Sequence, residues 1–275
     1  MTTAIEFRDF SFTYEGETSP AARHISLSVE SGDILLIAGK SGSGKSTILR
    51  AMNGLIPHMY HGKYEGDVLI EGKPVKKTPM SELAKSIGFV FQNPENQIFA
   101  FSVERDIAFG LENQGFSPQE IRKRVDWVIK LLGLELLRKI APFELSDGQK
   151  QRTAIAGVLA LKPSILILDE PTAVLDPVTA RDVLNLIAEL NKEFGLTCVI
   201  VEHRLELAAP LATKMLVISE GKIMDFGRVE DVVVNPALYQ VGISVPPIVE
   251  FQKALDITNV KLTVNSFVKE VIKFD

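Results

Sequence analysis

Apolar positions along this chain fall into three patterns, and each predicts a different element. Residues 4–7 and 25–29 alternate apolar and polar side chains, the period of an antiparallel strand with one face in water. They predict a small antiparallel β subdomain. Residues 34–38, 165–168 and 198–201 are unbroken apolar runs instead, of the kind a parallel sheet buries on both faces. Between about 115 and 160 the spacing turns helical. Ile121, Val125, Val128, Ile129 and Leu132 follow Ser117-Pro118-Gln119-Glu120, a helix start signal. A second helix is predicted from Val178 to about Phe194, ended by Gly195. The chain then returns to the run at 198–201, giving the strand–helix–strand alternation of a parallel sheet. The fold class is therefore α/β, with a parallel central sheet, an antiparallel β subdomain and a helical subdomain at about 95–160.

The tail carries its own pattern. After the break at Asn235-Pro236, Val245-Pro246-Pro247 opens a helix with proline in its first turn. Thr263 can cap a last helix with Val264, Phe267, Val268, Val271 and Ile272 on one face. That face needs a surface to cover it, from its own domain or a partner. A division into residues 1–235 and a C-terminal extension, 236–275, follows.

Two of the apolar runs end in chemistry. Directly after 34–38 comes Gly39-Lys40-Ser41-Gly42-Ser43-Gly44-Lys45-Ser46-Thr47, which fits the phosphate-cradling pattern G-x-x-x-x-G-K-[ST] between a strand and a helix. Its glycines turn backbone N–H groups inward, and the following helix points its positive end at the same place. Lys45 is expected at the β/γ-phosphates and Ser46 at Mg²⁺. About 120 residues later the run at 165–168 ends in Asp169-Glu170. Asp169 suits Mg²⁺, and Glu170 suits orienting and deprotonating an attacking water. The expected substrate is a nucleoside triphosphate.

Composition adds limits. The 275 residues are 46% hydrophobic and 24% charged, enough for a sizeable core. The net charge of −5 and the lack of a Lys/Arg stripe make nucleic acid an unexpected ligand. The single cysteine, Cys198, leaves no intramolecular disulfide and suits a reducing compartment. Neither a secretory leader nor an apolar run of the ~18–20 residues needed to span a bilayer is visible, so a membrane role is expected to come through partners. His58 and His61 are read as part of a solvated loop, with no metal expected beyond Mg²⁺.

Leu145-Ser146-Asp147-Gly148-Gln149-Lys150-Gln151-Arg152, about 20 residues before Asp169, resembles the signature motif of ABC-transporter ATPases. Four further stretches agree with that family in order and spacing. These are Tyr14 in Phe-Thr-Tyr, Gln92 after Phe-Val-Phe, Asp176 in Ala-Val-Leu-Asp, and His203 after Val-Ile-Val-Glu. The resemblance covers roughly residues 5–230. It implies a P-loop ATPase in which Tyr14 stacks on adenine, Gln92 and His203 sense Mg²⁺ and the γ-phosphate, and Ser146, Gly148 and Gln149 of one subunit meet the γ-phosphate of another. Two chains, identical or related, then pack head to tail around two ATP molecules. The family's usual glycine is replaced here by Asp147. Its carboxylate favours the helix dipole by about 0.3–1 kcal/mol but repels an approaching phosphate.

The stretches at 91–99 and 102–110 look like the A-component of energy-coupling-factor (ECF) importers of vitamins and transition-metal ions. That resemblance implies a peripheral subunit on the cytoplasmic face of the cell membrane. It would dock a transmembrane T-component near Gln97, Phe99 and Phe101, beside a substrate-binding S-component. The tail would hold two ATPase subunits together. Other assignments share the catalytic motifs. A conventional ABC importer or exporter differs in the stretch after Gln92 and in the tail. A soluble ABC ATPase of DNA maintenance is disfavoured, because only about 100 residues separate Lys45 from Ser146 and no heptad run lies between them.

Overall fold

The two strand periods sort into two sheets in the computed structural model, which describes residues 2–257 and 259–271. Ile272 of the expected last helix lies outside the described residues. The strands are β1 (Thr3–Tyr14), β2 (Ala22–Glu30), β3 (Ile34–Ala38), β4 (Gly62–Ile70), β5 (Lys73–Pro74), β6 (Ile87–Val90), β7 (Ile165–Asp169), β8 (Thr197–Val201), β9 (Lys214–Ser219) and β10 (Lys222–Arg228). The alternating segments form an antiparallel sheet in the order β2-β1-β4-β5. The unbroken runs form a second sheet, β10-β9-β3-β8-β7-β6, in which β10 alone is antiparallel to its neighbour. β1 runs well past the expected segment to Tyr14. Its register against β4 shifts between Arg8 and Ser11, where Asp9 takes φ 49°.

The parallel sheet divides two cores by residue parity. Leu35, Ile37, Ile165, Ile167, Val199 and Val201 face the antiparallel sheet and the helix Lys45–Met52. Ile34, Leu36, Leu166, Leu168, Cys198 and Ile200 face the opposite helical layer. Burying each such large apolar side chain stabilises the fold by roughly 1.5–3 kcal/mol. A one-residue slip in β3, β7 or β8 would exchange the two cores, so the register of these strands, and with it the place of every residue at their ends, is strongly specified.

The helical layer follows the predicted signals. Pro118–Leu131 starts where the Ser117 hydroxyl accepts the Glu120 N–H, and it buries Val125, Val128 and Ile129. Asp147–Leu159 starts with a capping box, Ser146 and Gln149 each bonding the other's backbone N–H. Pro177–Phe194 is capped by Asp176 and stops at Gly195, φ 66°, a left-handed turn that glycine adopts without strain.

The tail contributes the helices Ala237–Gln240, Pro247–Ala254 and Val264–Val271. Leu238, Ile243, Val245, Val249 and Val260 join the same core as the helical layer. Buried Gln252 ties the helix Pro247–Ala254 to Lys261, in the segment that leads to the last helix. It accepts from the Lys261 N–H and donates to the Lys261 and Ile248 carbonyls at 2.8–2.9 Å. The outer side of the tail carries Phe251, 53% exposed, and Val264, 60% exposed. Thr263 accepts the Ser266 N–H at the start of the last helix.

Candidate functional site

Parallel strands put their carboxyl ends on one edge, and the predicted residues meet there. Gln92 follows β6, Asp169 ends β7 with Glu170 next after it, His203 follows β8, and the loop 39–44 follows β3. Glu170 is the junction. Its carboxylate accepts the Gln92 amide N–H at 2.8 Å and lies 3.0 Å from the His203 Nε2. The backbone of Glu170 takes φ 48°, an uncommon conformation for a residue with a side chain and one that tends to mark functional sites. Its N–H is fixed to the Val201 carbonyl at 3.0 Å.

Two glycines of the loop 39–44 leave no room for a side chain. A Cβ on Gly39 would lie 2.4 Å from the Ile218 carbonyl oxygen, and one on Gly44, φ 108°, 2.6 Å from that of Ala21. The Lys45 ammonium is folded back on the Gly39 and Lys40 carbonyls at 2.6 and 3.0 Å. Burial lowers its pKa, against the pull of Glu170 and Asp169. Burial raises the pKa of Asp169, and neighbouring Glu170 raises it further, while Lys45 and Arg50 oppose the shift. The Ser43 hydroxyl is buried with no hydrogen-bond partner. A triphosphate and a divalent cation fit this arrangement. Phosphate oxygens would satisfy Ser43 and Lys45, and a cation would relieve the two adjacent carboxylates. Ser46, Asp169 and the Gln92 amide oxygen are the hard oxygen donors Mg²⁺ takes.

Tyr14 ends β1 with its hydroxyl at 2.9 Å from the Arg50 guanidinium and 3.2 Å from the Thr47 hydroxyl. It lines a cavity of about 430 Å³ with Gly42 and Ala21. Thr47 is buried and is held by this contact. Ser41 lines a second cavity of about 310 Å³ with Gly39, His203 and Ser244, so a tail residue reaches the site.

Other predicted residues are not brought to the loop within one chain. Ser146, Gly148 and Gln149 open the helix Asp147–Leu159, and a Cβ on Gly148 would meet the Thr179 methyl at 2.5 Å. Asp176 accepts the Val178 and Thr179 N–H groups at 2.9 and 3.1 Å. Hydrogen bonds from Thr179 hold its carboxyl below the usual range. None of these four lines the cavities beside the loop 39–44. Asp147 stands 3.9 Å from the Lys150 ammonium, which also pairs with Glu95 of the segment after Gln92.

Gln97, expected as a partner contact, spends its amide on its own loop, accepting the Phe91 N–H and donating to the Phe89 carbonyl. Phe99 and Phe101 are 65% and 86% exposed, and Phe99 stacks edge-to-face on Phe109. His58 Nε2 lies 3.0 Å from the Val75 carbonyl oxygen, so this histidine is part of local packing. Sequence reasoning gave Glu202 no role, yet it is buried and bonds both Thr172 and the His203 N–H. An acid closing an all-apolar strand was the available signal.

The ABC transporter family model matches residues 22–173, more than half the chain. The chain belongs to the ABC transporter family. A Pyrococcus horikoshii relative, provisionally assigned as an ABC transporter ATP-binding protein, is 42% identical over 88% of this chain and 86% of its own length. A Methanosarcina mazei relative with the same provisional assignment is also 42% identical, over 91% of this chain, which spans only 43% of that longer protein. Among solved structures, cbiO1 of Clostridium perfringens, part of the ABC transporter complex cbiONQ, superposes with a TM-score of 0.79 at 34% identity. The match covers 92% of this chain and all of that one. The ATP-binding cassette MJ0796, a post-hydrolysis dimer with ADP and Pi, reaches 0.70 at 30% identity over 82% of this chain and 98% of its own. The ABC ATPase fold expected from the sequence is thus found in both sheets and in the helical layer. Among the described residues no helix is long and apolar enough to cross a membrane.

Proposed function

We propose that this chain is the Mg²⁺-dependent ATPase subunit of an ECF-type importer, peripheral on the cytoplasmic face of the cell membrane and powering uptake of a vitamin or transition-metal ion through membrane partners. The observation that carries this reading is the match to cbiO1, which extends over 92% of the chain. The exposed pair Phe99 and Phe101 supports it further. They sit on the segment after Gln92 and stand out in water, where a partner such as a T-component would gain by covering them.

In this reading Tyr14 stacks on adenine, and the N–H groups of 39–47 with Lys45 bind the phosphates. Ser46, Asp169 and Gln92 would hold Mg²⁺, which would supply positive charge to the phosphates. Glu170 takes the proton of the attacking water, and His203 and Gln92 hold that carboxylate in place. The water oxygen bonds the γ-phosphorus as the bond to the bridging oxygen breaks, releasing ADP and phosphate. Ser146, Gly148 and Gln149 of a second chain face the γ-phosphate, with Asp176 at the same boundary. Residues 1–235 are the nucleotide-binding unit, and the extension 236–275 holds two such units together.

Mass spectrometry of what co-purifies with the chain from its native membranes in mild detergent tests the proposal. A T-component with a small substrate-binding membrane protein is the expected result. Two conventional permease subunits, or no membrane protein, would overturn it.

A further inference from the structure

The buried carboxylate next to His203 is assigned no part in the chemistry above. Glu202 directly follows β8 and is buried, where an ionisable group is costly unless hydrogen bonds replace its water. Its two oxygens are divided between two loops. Oε1 accepts the backbone N–H of Thr172 at 3.1 Å and also the Thr172 hydroxyl. Oε2 accepts the backbone N–H groups of His203 at 3.1 Å and Arg204 at 3.4 Å. Thr172 stands two residues after Glu170, and the His203 imidazole returns to Glu170 at 3.0 Å. The contacts close a ring: Glu170, Thr172, Glu202, His203 and back to Glu170. The neighbouring Arg204 guanidinium donates to the Leu175 carbonyl at 3.1 Å, so the same short segment also grips the loop that leads to Asp176.

We propose that Glu202 is a positioning residue for ATP hydrolysis, fixing the His203 imidazole against Glu170 and coupling it to the 172–176 loop. The inference rests on the ATPase reading above. A hydrogen-bonded carboxylate suits this task because it can only accept, and each of its four partners is a donor. Glutamine in its place keeps the shape but turns an N–H₂ toward a donor, so one loop must let go.

The test measures ATP turnover, ATP affinity and thermal unfolding of the full-length chain in five forms. These are wild type, Glu202→Gln, Thr172→Val, His203→Ala, and Glu202→Gln combined with His203→Ala. Glu202→Gln should lower kcat by about 10- to 10²-fold, the range a misplaced catalytic group produces, with KM for ATP changed by less than about twofold. Thr172→Val, which removes one of the four bonds, should show the same split with a smaller loss. In the His203→Ala background Glu202→Gln should cost little more, since groups that act as a unit are not additive. Full turnover in both single variants would overturn the proposal. So would equal fold-losses with and without His203, or loss of ATP affinity and unfolding temperature in step with turnover. No phosphate release by the wild type would overturn the ATPase reading and this inference together. Wild-type turnover with unchanged variants would remove this inference alone.

Discussion

The catalytic edge and the C-terminal tail are built in opposite ways. The edge rests on β3, β7 and β8, whose apolar residues are buried on both faces, and Glu170, His203 and Gln92 already touch within one chain. The tail rests on short helices that bury one side in the common core and leave Phe251 and Val264 in water. Positions that do chemistry are fixed from inside, where a one-residue slip would exchange two cores. Positions that choose partners stand on the surface, where an apolar side chain is stabilised only when something covers it.

That contrast can be broken first at its rigid end. Glu170→Gln leaves no base for the water, so steady-state phosphate release should fall by about 10²-fold or more while ATP still binds. Normal turnover would remove Glu170 as the base. Gly44→Ala should come next. It forces a side chain onto φ 108° with its Cβ 2.6 Å from the Ala21 carbonyl, and strain of this kind should weaken ATP binding by about 30-fold in a fluorescence titration.

At the surface end, deleting 240–275 would strip Ile243, Val245, Val249 and Val260 from the core and so confuse partner loss with unfolding. Phe251→Ser with Val264→Ser spares those core residues and removes, within the chain, the edge-to-face contact of Phe251 with Phe267. It should weaken nucleotide-free dimers by about tenfold in sedimentation, a size typical of apolar interface anchors, and lower the unfolding temperature far less than the deletion. Unaltered dimers would remove the tail's assigned role. The smallest effect is expected at Asp147→Gly, where Lys150 at 3.9 Å already offsets the carboxylate. Turnover should rise by no more than about two- to fivefold.

Much of the edge was legible because its signals are local. An apolar run ending in Asp169-Glu170, a glycine cradle ending in Lys45-Ser46, and the Ser146-to-Gln149 capping box each declare their geometry within a few residues. β4 and β10 were not read, since the burial of β4 is confined to residues 68–70 and β10 has no fully buried position; β9 was passed over although its run Met215-Leu216-Val217-Ile218 is buried like those of the other central strands. Glu202 escaped for a different reason. Its meaning comes from Thr172, thirty positions away in sequence, and only the fold brings the two together. Gln97 shows another kind of long-range meaning, since its amide bonds the Phe91 N–H and the Phe89 carbonyl, contacts that its place in the sequence does not announce.

The central claim is that one chain holds the water-activating residues and a second supplies the helix that begins at Ser146. The direct measurement is ATP turnover per chain as a function of chain concentration, across the range in which sedimentation shows monomer passing to dimer. The account predicts that specific activity rises with the dimer fraction and approaches zero at dilution. Constant specific activity, maintained where only monomer is present, would contradict it.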